Sequence, residues 1–157
     1  MATLELPDFL PDRPAREAHR ALVAADRAAD QARHCAVLWF GEILRRGLYR
    51  ELGYGSMPQY AKAALGFSSS KATDFMTLAQ KLEALPAVRA ELAAGRIGYT
   101  KAREVVKVAS PRTDEQWAEE ARTRSRQELA QRVRAVQAKA QRRKSAQLEL
   151  APAAAAA

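Results

Sequence analysis

The sequence predicts an all-α protein, a multi-helix bundle with a long N-terminal helix, a helix-turn-helix-like unit and a basic C-terminal helix. Three observations predict it. Good helix formers (Ala, Leu, Arg, Gln, Glu) dominate the 157 residues, and only seven glycines and seven prolines punctuate them. No run shows the alternating, β-branched character of strands. Apolar residues recur instead at spacings of three and four. Hydrophobic residues make up 48% of the chain but aromatics only 6%, so the core must be built from Ala, Leu and Val on closely packed helices. The length suits one domain with a tail.

Residues 1–14 carry Pro7, Pro11 and Pro14 and read as an extended lead-in. A single helical domain is expected over 15–144. It opens with a long helix over 15–49, on which Leu22, Ala25, Ala29, Ala32, Ala36, Trp39 and Ile43 form one stripe. That stripe can pack on the rest of the chain or on a second copy, and Gly41 and Gly47 are break points. In "LGYGSMPQY", Ser56 is a good N-cap, with Gln59 three residues later and Pro58 in the first turn. This short helix runs to Leu65, and Gly66 is a natural residue to end it. The next helix starts among Ser68, Ser69 and Ser70, buries Ala72, Phe75, Leu78 or Ala79, Leu82 and Leu85, and stops at Pro86. Together they form a helix-turn-helix-like unit over 56–85.

The supporting and basic helices fill 86–144. "PAVRAELAAG" is a short helix closed by Gly95. Thr100 can cap a helix that buries Ala102, Val105, Val106 and Ala109 and runs to Pro111. Thr113 and Gln116 form another capping-box pair before Trp117. Ser125 can cap the last helix, which carries Leu129, Val133, Val136 and Ala140 at spacings of 4, 3 and 4. Residues 145–157 read as a disordered, Ala-rich tail.

The formal charge is +8 and the pI about 10.1. Residues 122–157 hold nine Lys/Arg against two Glu, a net of +7, and the other 121 residues together carry +1. Concentrated positive charge suits a polyanion, although an exposed helix face in an Arg/Ala-rich protein is also simply solvated. Cys35 is the single cysteine. It excludes an internal disulfide framework and a cysteine-based zinc cluster, and its apolar surroundings predict a small core residue. The N-terminus has no apolar signal-peptide core. No stretch approaches about 18 apolar residues, so no membrane span is expected, and the cytoplasm is the expected location.

Enzymatic chemistry finds no constellation. His19 and His34 are 15 residues apart on one helix and cannot share a metal within one chain. Glu119 and Glu120 are helix neighbours that point in different directions. There is no Walker loop and no GxGxxG. The expectation is a protein without catalytic activity, cofactor or metal.

A helix-turn-helix needs a short helix, a tight turn with glycine, and a second helix whose first residues reach base edges. "SMPQYAKAALGFSSSKATDFMTLAQKL" supplies these parts in order. With Gly66 in the turn, Ala61, Leu65, Phe67, Ala72 and Phe75 face inward. Ser68, Ser69, Ser70, Thr73, Asp74 and Thr77 then face the groove, with Lys71 for a phosphate. Arg126, Arg132, Arg134, Lys139, Arg142 and Arg143 on the last helix are the expected backbone contacts. Two features depart from the motif. Lys62 stands four before the glycine, where alanine is usual. Asp74 repels phosphates unless it accepts from a cytosine amino group.

The segments "LGYGSMPQY", "LGFSSSKA", "ALPAVRAELAAGRIGYTKAREVVKVASPRTDEQWAEEA" and "ELAQRV", in that order over residues 48–136, resemble the helical domain that precedes the nuclease core in many bacterial HNH endonuclease-type proteins. "LPAVRAELAAGRIGYTKAREVV" also looks like the segment that supports the recognition helix in ParB-type partition proteins. Both resemblances imply a helical domain that binds double-stranded DNA. The HNH core needs histidines, usually with Asn and often with paired CxxC motifs. No histidine follows His34 here, so nuclease activity is not carried over. The resemblance thus implies a regulator or HNH-associated accessory module, nucleoid-associated if it binds DNA. The alternatives are a helical interaction module, with homodimerisation through the long N-terminal helix, and a remnant of an HNH nuclease without its core.

Overall fold

The structure is a computed structural model that describes residues 4–150. Eight helices and no strand are present among the described residues: α1 (Ala15–Arg46), α2 (Leu48–Glu51), α3 (Met57–Leu65), α4 (Ser69–Glu83), α5 (Pro86–Ala93), α6 (Tyr99–Val105), α7 (Asp114–Thr123) and α8 (Arg126–Leu150). Residues 4–14 form neither helix nor strand, and residues 1–3 of the expected lead-in lie outside the described residues.

α1 ends three residues before the expected boundary. Gly47 adopts φ 66°, a left-handed conformation that suits glycine, and its N–H reaches the Leu44 carbonyl at 3.2 Å. Gly41 does not break the helix. A Cβ there would lie 3.4 Å from the Ala79 Cβ, in van der Waals contact, so α4 packs directly on this turn of the helix. α1 buries Ala28, His34, Val37 and Phe40. Most of the expected stripe lies on another side and faces solvent: Leu22 and Trp39 are 69% and 70% exposed, and Ala29, Ala32 and Ala36 are exposed too, while Ala25 is half-buried and Ile43 packs against the core. Cys35, expected in the core, is also exposed. Periodicity found a face of this helix, but α4 and α6 pack on a different one.

An aromatic cluster ties α1 to the α3–α4 turn and to α6. The Phe40 ring lies 5.5 Å from Phe75 and 6.2 Å from Phe67, Phe67 lies 5.0 Å from Phe75, and Phe75 lies 5.9 Å from Tyr99. Edge-to-face and offset geometries of this kind add to the area the rings bury. Leu78, Leu82, Leu85, Val88 and Leu92 extend the core toward α5.

Helix ends are fixed from afar. Buried Asp114 accepts the N–H groups of Ala87 (2.7 Å) and Val88 (3.0 Å) and so caps α5. Lys101 Nζ donates to the carbonyls of Ala121 (2.9 Å) and Arg124 (2.6 Å), closing α7. Gly98, not Thr100, is the N-cap of α6, and Thr100 sits in its first turn and donates its hydroxyl to Asp30 at 3.3 Å. α6 ends at Val105, short of Pro111. Thr113 precedes α7 without a side-chain cap, because its hydroxyl accepts from the Ser110 N–H instead (3.0 Å), and Gln116 bonds Glu120.

α8 begins with a complete capping box. Ser125 Oγ accepts from the Glu128 N–H (3.2 Å), and the Glu128 carboxylate accepts from the Ser125 N–H (2.8 Å). The Ser125 N–H first, and then the Ser125 side chain, hold the Glu128 carboxyl below its ordinary pKa. Leu129 and Val133 are buried and Val136 is half-buried, but Ala140 is exposed. The helix continues through Leu150, six residues past the boundary expected at Lys144, and residues 151–157 of the expected tail lie outside the described residues.

Candidate nucleic-acid interface

α3 starts at Ser56, whose Oγ accepts from the Gln59 N–H at 3.2 Å. It ends at Gly66, with φ 64° and ψ 25°. The Phe67 N–H then reaches back to the Ala61 carbonyl at 3.0 Å, and Phe67 drops between Phe40 and Phe75. Ser68 takes an extended conformation and its Oγ accepts from the Lys71 N–H (3.2 Å), so α4 begins one residue later. Ala61, Ala72 and Phe75 are buried as expected of a helix-turn-helix. Leu65 is not: it is 42% exposed and lines an apolar groove with Trp39, Ile43 and Tyr60. Phe67 is half-buried on the inner side, where the sequence pattern placed it together with Leu65.

The residues expected to face a groove are brought together on α4. Ser68, Ser69, Ser70, Lys71, Thr73, Asp74 and Thr77 are all exposed. First-turn N–H groups lack intrahelical acceptors and carry the positive end of the helix dipole. Ser68 satisfies that of Lys71. The Thr73 hydroxyl donates to the Ser69 carbonyl (2.9 Å), which fixes its rotamer. Lys71 Nζ lies 4.2 Å above the Phe67 ring and 5.9 Å from Phe75, so cation–π attraction holds the ammonium against the turn. Asp74 is paired with Arg103 of α6 at 3.4 Å. Sequence reasoning missed Arg103, because no local pattern links residues 29 apart. The pairing places a cation beside the carboxylate that would otherwise repel phosphate.

The basic residues of α8 divide into two groups. Arg126 reaches Asp30 (3.6 Å) and Thr100 (3.3 Å), and Arg132 reaches Glu120 (3.3 Å) and lies 5.9 Å from the Trp117 ring. These two fasten the helix to the domain. Arg134, Lys139, Arg142 and Arg143 are exposed and make no ion pair among the described residues. From Gln137 to Glu149 every side chain is exposed. α8 packs on α6, whereas α4 packs on α1, α3 and α5. α6 therefore links the two surfaces: Arg103 touches α4, and the same helix supports α8.

Away from this interface, Asp26, Asp30, His34, Lys101 and Arg126 line one polar cleft where α1, α6 and α8 meet. His19 is exposed and His34 is buried with Nδ1 unpartnered. No group of three His, Cys, Asp or Glu is placed to hold a metal among the described residues, and no described helix is long and apolar enough to cross a membrane. Glu119 pairs with Arg122, and Glu120 with Arg124 and Arg132, so the two adjacent carboxylates act separately.

The chain belongs to the family described as a domain of unknown function (DUF222), which matches residues 17–157 and is associated with HNH endonuclease proteins. No curated protein and no solved structure gives a significant match.

Proposed function

We propose that this protein is a non-enzymatic, helical double-stranded-DNA-binding protein, acting as a regulator or as an accessory module to HNH nucleases. The observation that carries this reading is the charge on the free length of α8, where Arg134, Lys139, Arg142 and Arg143 stand exposed without carboxylate partners among the described residues. A helix in this state has counterions to release when it meets phosphates. The exposed hydroxyls at the start of α4 supply the second element, a short, core-backed surface that suits base edges. The ParB-like segment fits the same reading, since its α5–α6 residues buttress α4. The family's association with HNH proteins supports a place beside DNA chemistry.

Selection from a random duplex library tests the reading. The wild-type chain should enrich a preferred site. A variant with Ser69, Ser70, Lys71 and Thr73 all replaced by alanine should remain folded and enrich none. Enrichment of the same site by both proteins would remove α4 from the interface. A second partner, another copy of the chain, is favoured by the exposed apolar side of α1.

A further inference from the structure

The outward side of α1 has the pattern of a coiled-coil seam. Leu22, Ala25, Ala29, Ala32, Ala36, Trp39 and Ile43 alternate spacings of three and four without a break. This is the a/d phase of a heptad repeat, and it runs along a helix of 32 residues, roughly 48 Å. The helix's own domain uses a different side, through Val37, Phe40 and Gly41. From Leu22 to Trp39 the seam is therefore left without an occupant inside the chain, whereas Ile43 packs against the core; Trp39 is 70% and Leu22 69% exposed.

Size and charge both identify what fits it. Small residues occupy the middle of the seam and large ones its two ends. In an antiparallel pair, each a position faces a d position of the other helix. One register sets Leu22 against the partner's Trp39, Ala25 against the partner's Ala36, and Ala29 against the partner's Ala32. The two exposed bulky residues then meet one another, and the helices approach most closely where alanine lines both. At the Leu22 end, Pro7, Phe9 and Leu10 of the lead-in face Ala18, Leu22 and Ala25 across a groove of about 580 Å³, room enough for an indole. Asp26 and Arg33 flank the seam at equivalent heptad positions, and both are exposed without an ion pair among the described residues. In this register Asp26 faces the partner's Arg33, twice by symmetry. A slip of one heptad in either direction sets Arg33 against the partner's Arg33, or Asp26 against the partner's Asp26.

We infer that α1 pairs antiparallel with α1 of a second copy of this chain, in the register that seats Trp39 of each protomer against the partner's Leu22. The inference rests on the reading of α1 as a self-association surface and is independent of DNA binding. A two-fold axis near the Ala29–Ala32 layer makes the contact self-complementary and closed.

Sedimentation equilibrium of the full chain tests it, over roughly 1–100 μM so that mass action reveals the dimer. The expected result is a dimer that Ala32→Glu converts to monomer with helical content unchanged, since Ala32 is exposed. Asp26→Arg and Arg33→Asp should each weaken the dimer about tenfold, and the double variant should restore it, as exchange of charge across the seam requires. A chain that is monomeric throughout would overturn self-association and leave the face to a different protein. A dimer indifferent to Ala32→Glu would place the interface elsewhere. A dimer lost in Ala32→Glu but without rescue in the charge exchange would overturn the antiparallel register alone.

Discussion

The first turns of α4 and the outer half of α8 carry the two candidate DNA surfaces, on opposite foundations. α4 is backed by Ala72, Phe75, Leu78, Ala79 and Leu82, all buried, so its exposed hydroxyls are held in fixed positions. It carries little net charge, because Asp74 and Arg103 offset one another. α8 beyond Val136 touches no core, and its cations stand on a bare helix. A packed helix can discriminate among shapes and hydrogen-bonding edges. An unpacked cationic helix attracts any phosphate backbone and reads none. On the proposed reading, specificity would fall to α4 and affinity to α8.

The largest effect should come from breaking the foundation of α4. Phe75→Ala removes the ring shared by Phe40, Phe67 and Tyr99 and should cost about 3–5 kcal/mol in urea denaturation. Replacing Arg134, Lys139, Arg142 and Arg143 with glutamine should do the reverse. Stability should stay within about 0.5 kcal/mol, while affinity for random duplex at low salt falls roughly 100-fold and the salt slope shrinks by about 3.

Ser125→Ala should cost about 1 kcal/mol by removing the cap that anchors α8. Acid should loosen the same cap. The folded Glu128 pKa lies below its ordinary value of 4.5, so its contribution is complete above that value and is lost as pH falls through the depressed one. A pH titration of thermal stability should therefore show a smaller acid-side decline in Glu128→Gln than in the wild type. The smallest change sharpens the contrast at α4: Asp74→Asn frees Arg103 and should raise non-specific affinity only about twofold to threefold, with stability unchanged.

Local signals were legible in the sequence. Ser56 and Ser125 cap the helices they were expected to cap, Ser68 caps α4 at the first of the three serines among which it was expected to start, and Phe75, Leu82, Leu129 and Val133 are buried. Each such signal lies within about one turn or along one helix face. Caps delivered from a distance were not legible. Asp114 serves α5 from 26 residues away, and Thr100 looked like a cap until Asp30, 70 residues away, took its hydroxyl. α1 shows a further limit. A period of three and four identifies an apolar side but not its partner, and here the domain packs on Val37 and Phe40 while the regular seam, apart from Ile43, stays outside. At the candidate interface, the α4 hydroxyls and the α8 cations were readable as residue types. The tethering of Arg126 and Arg132 and the role of Arg103 depend on tertiary neighbours.

The division between the two helices stands on DNA binding itself, which fluorescence anisotropy of the full chain with labelled random duplex measures most directly across a salt series. The account predicts micromolar binding at low salt, with log affinity falling against log salt at a slope of about −3 or steeper. A folded protein that fails to bind at low salt, or binds with a flat salt dependence, would contradict it.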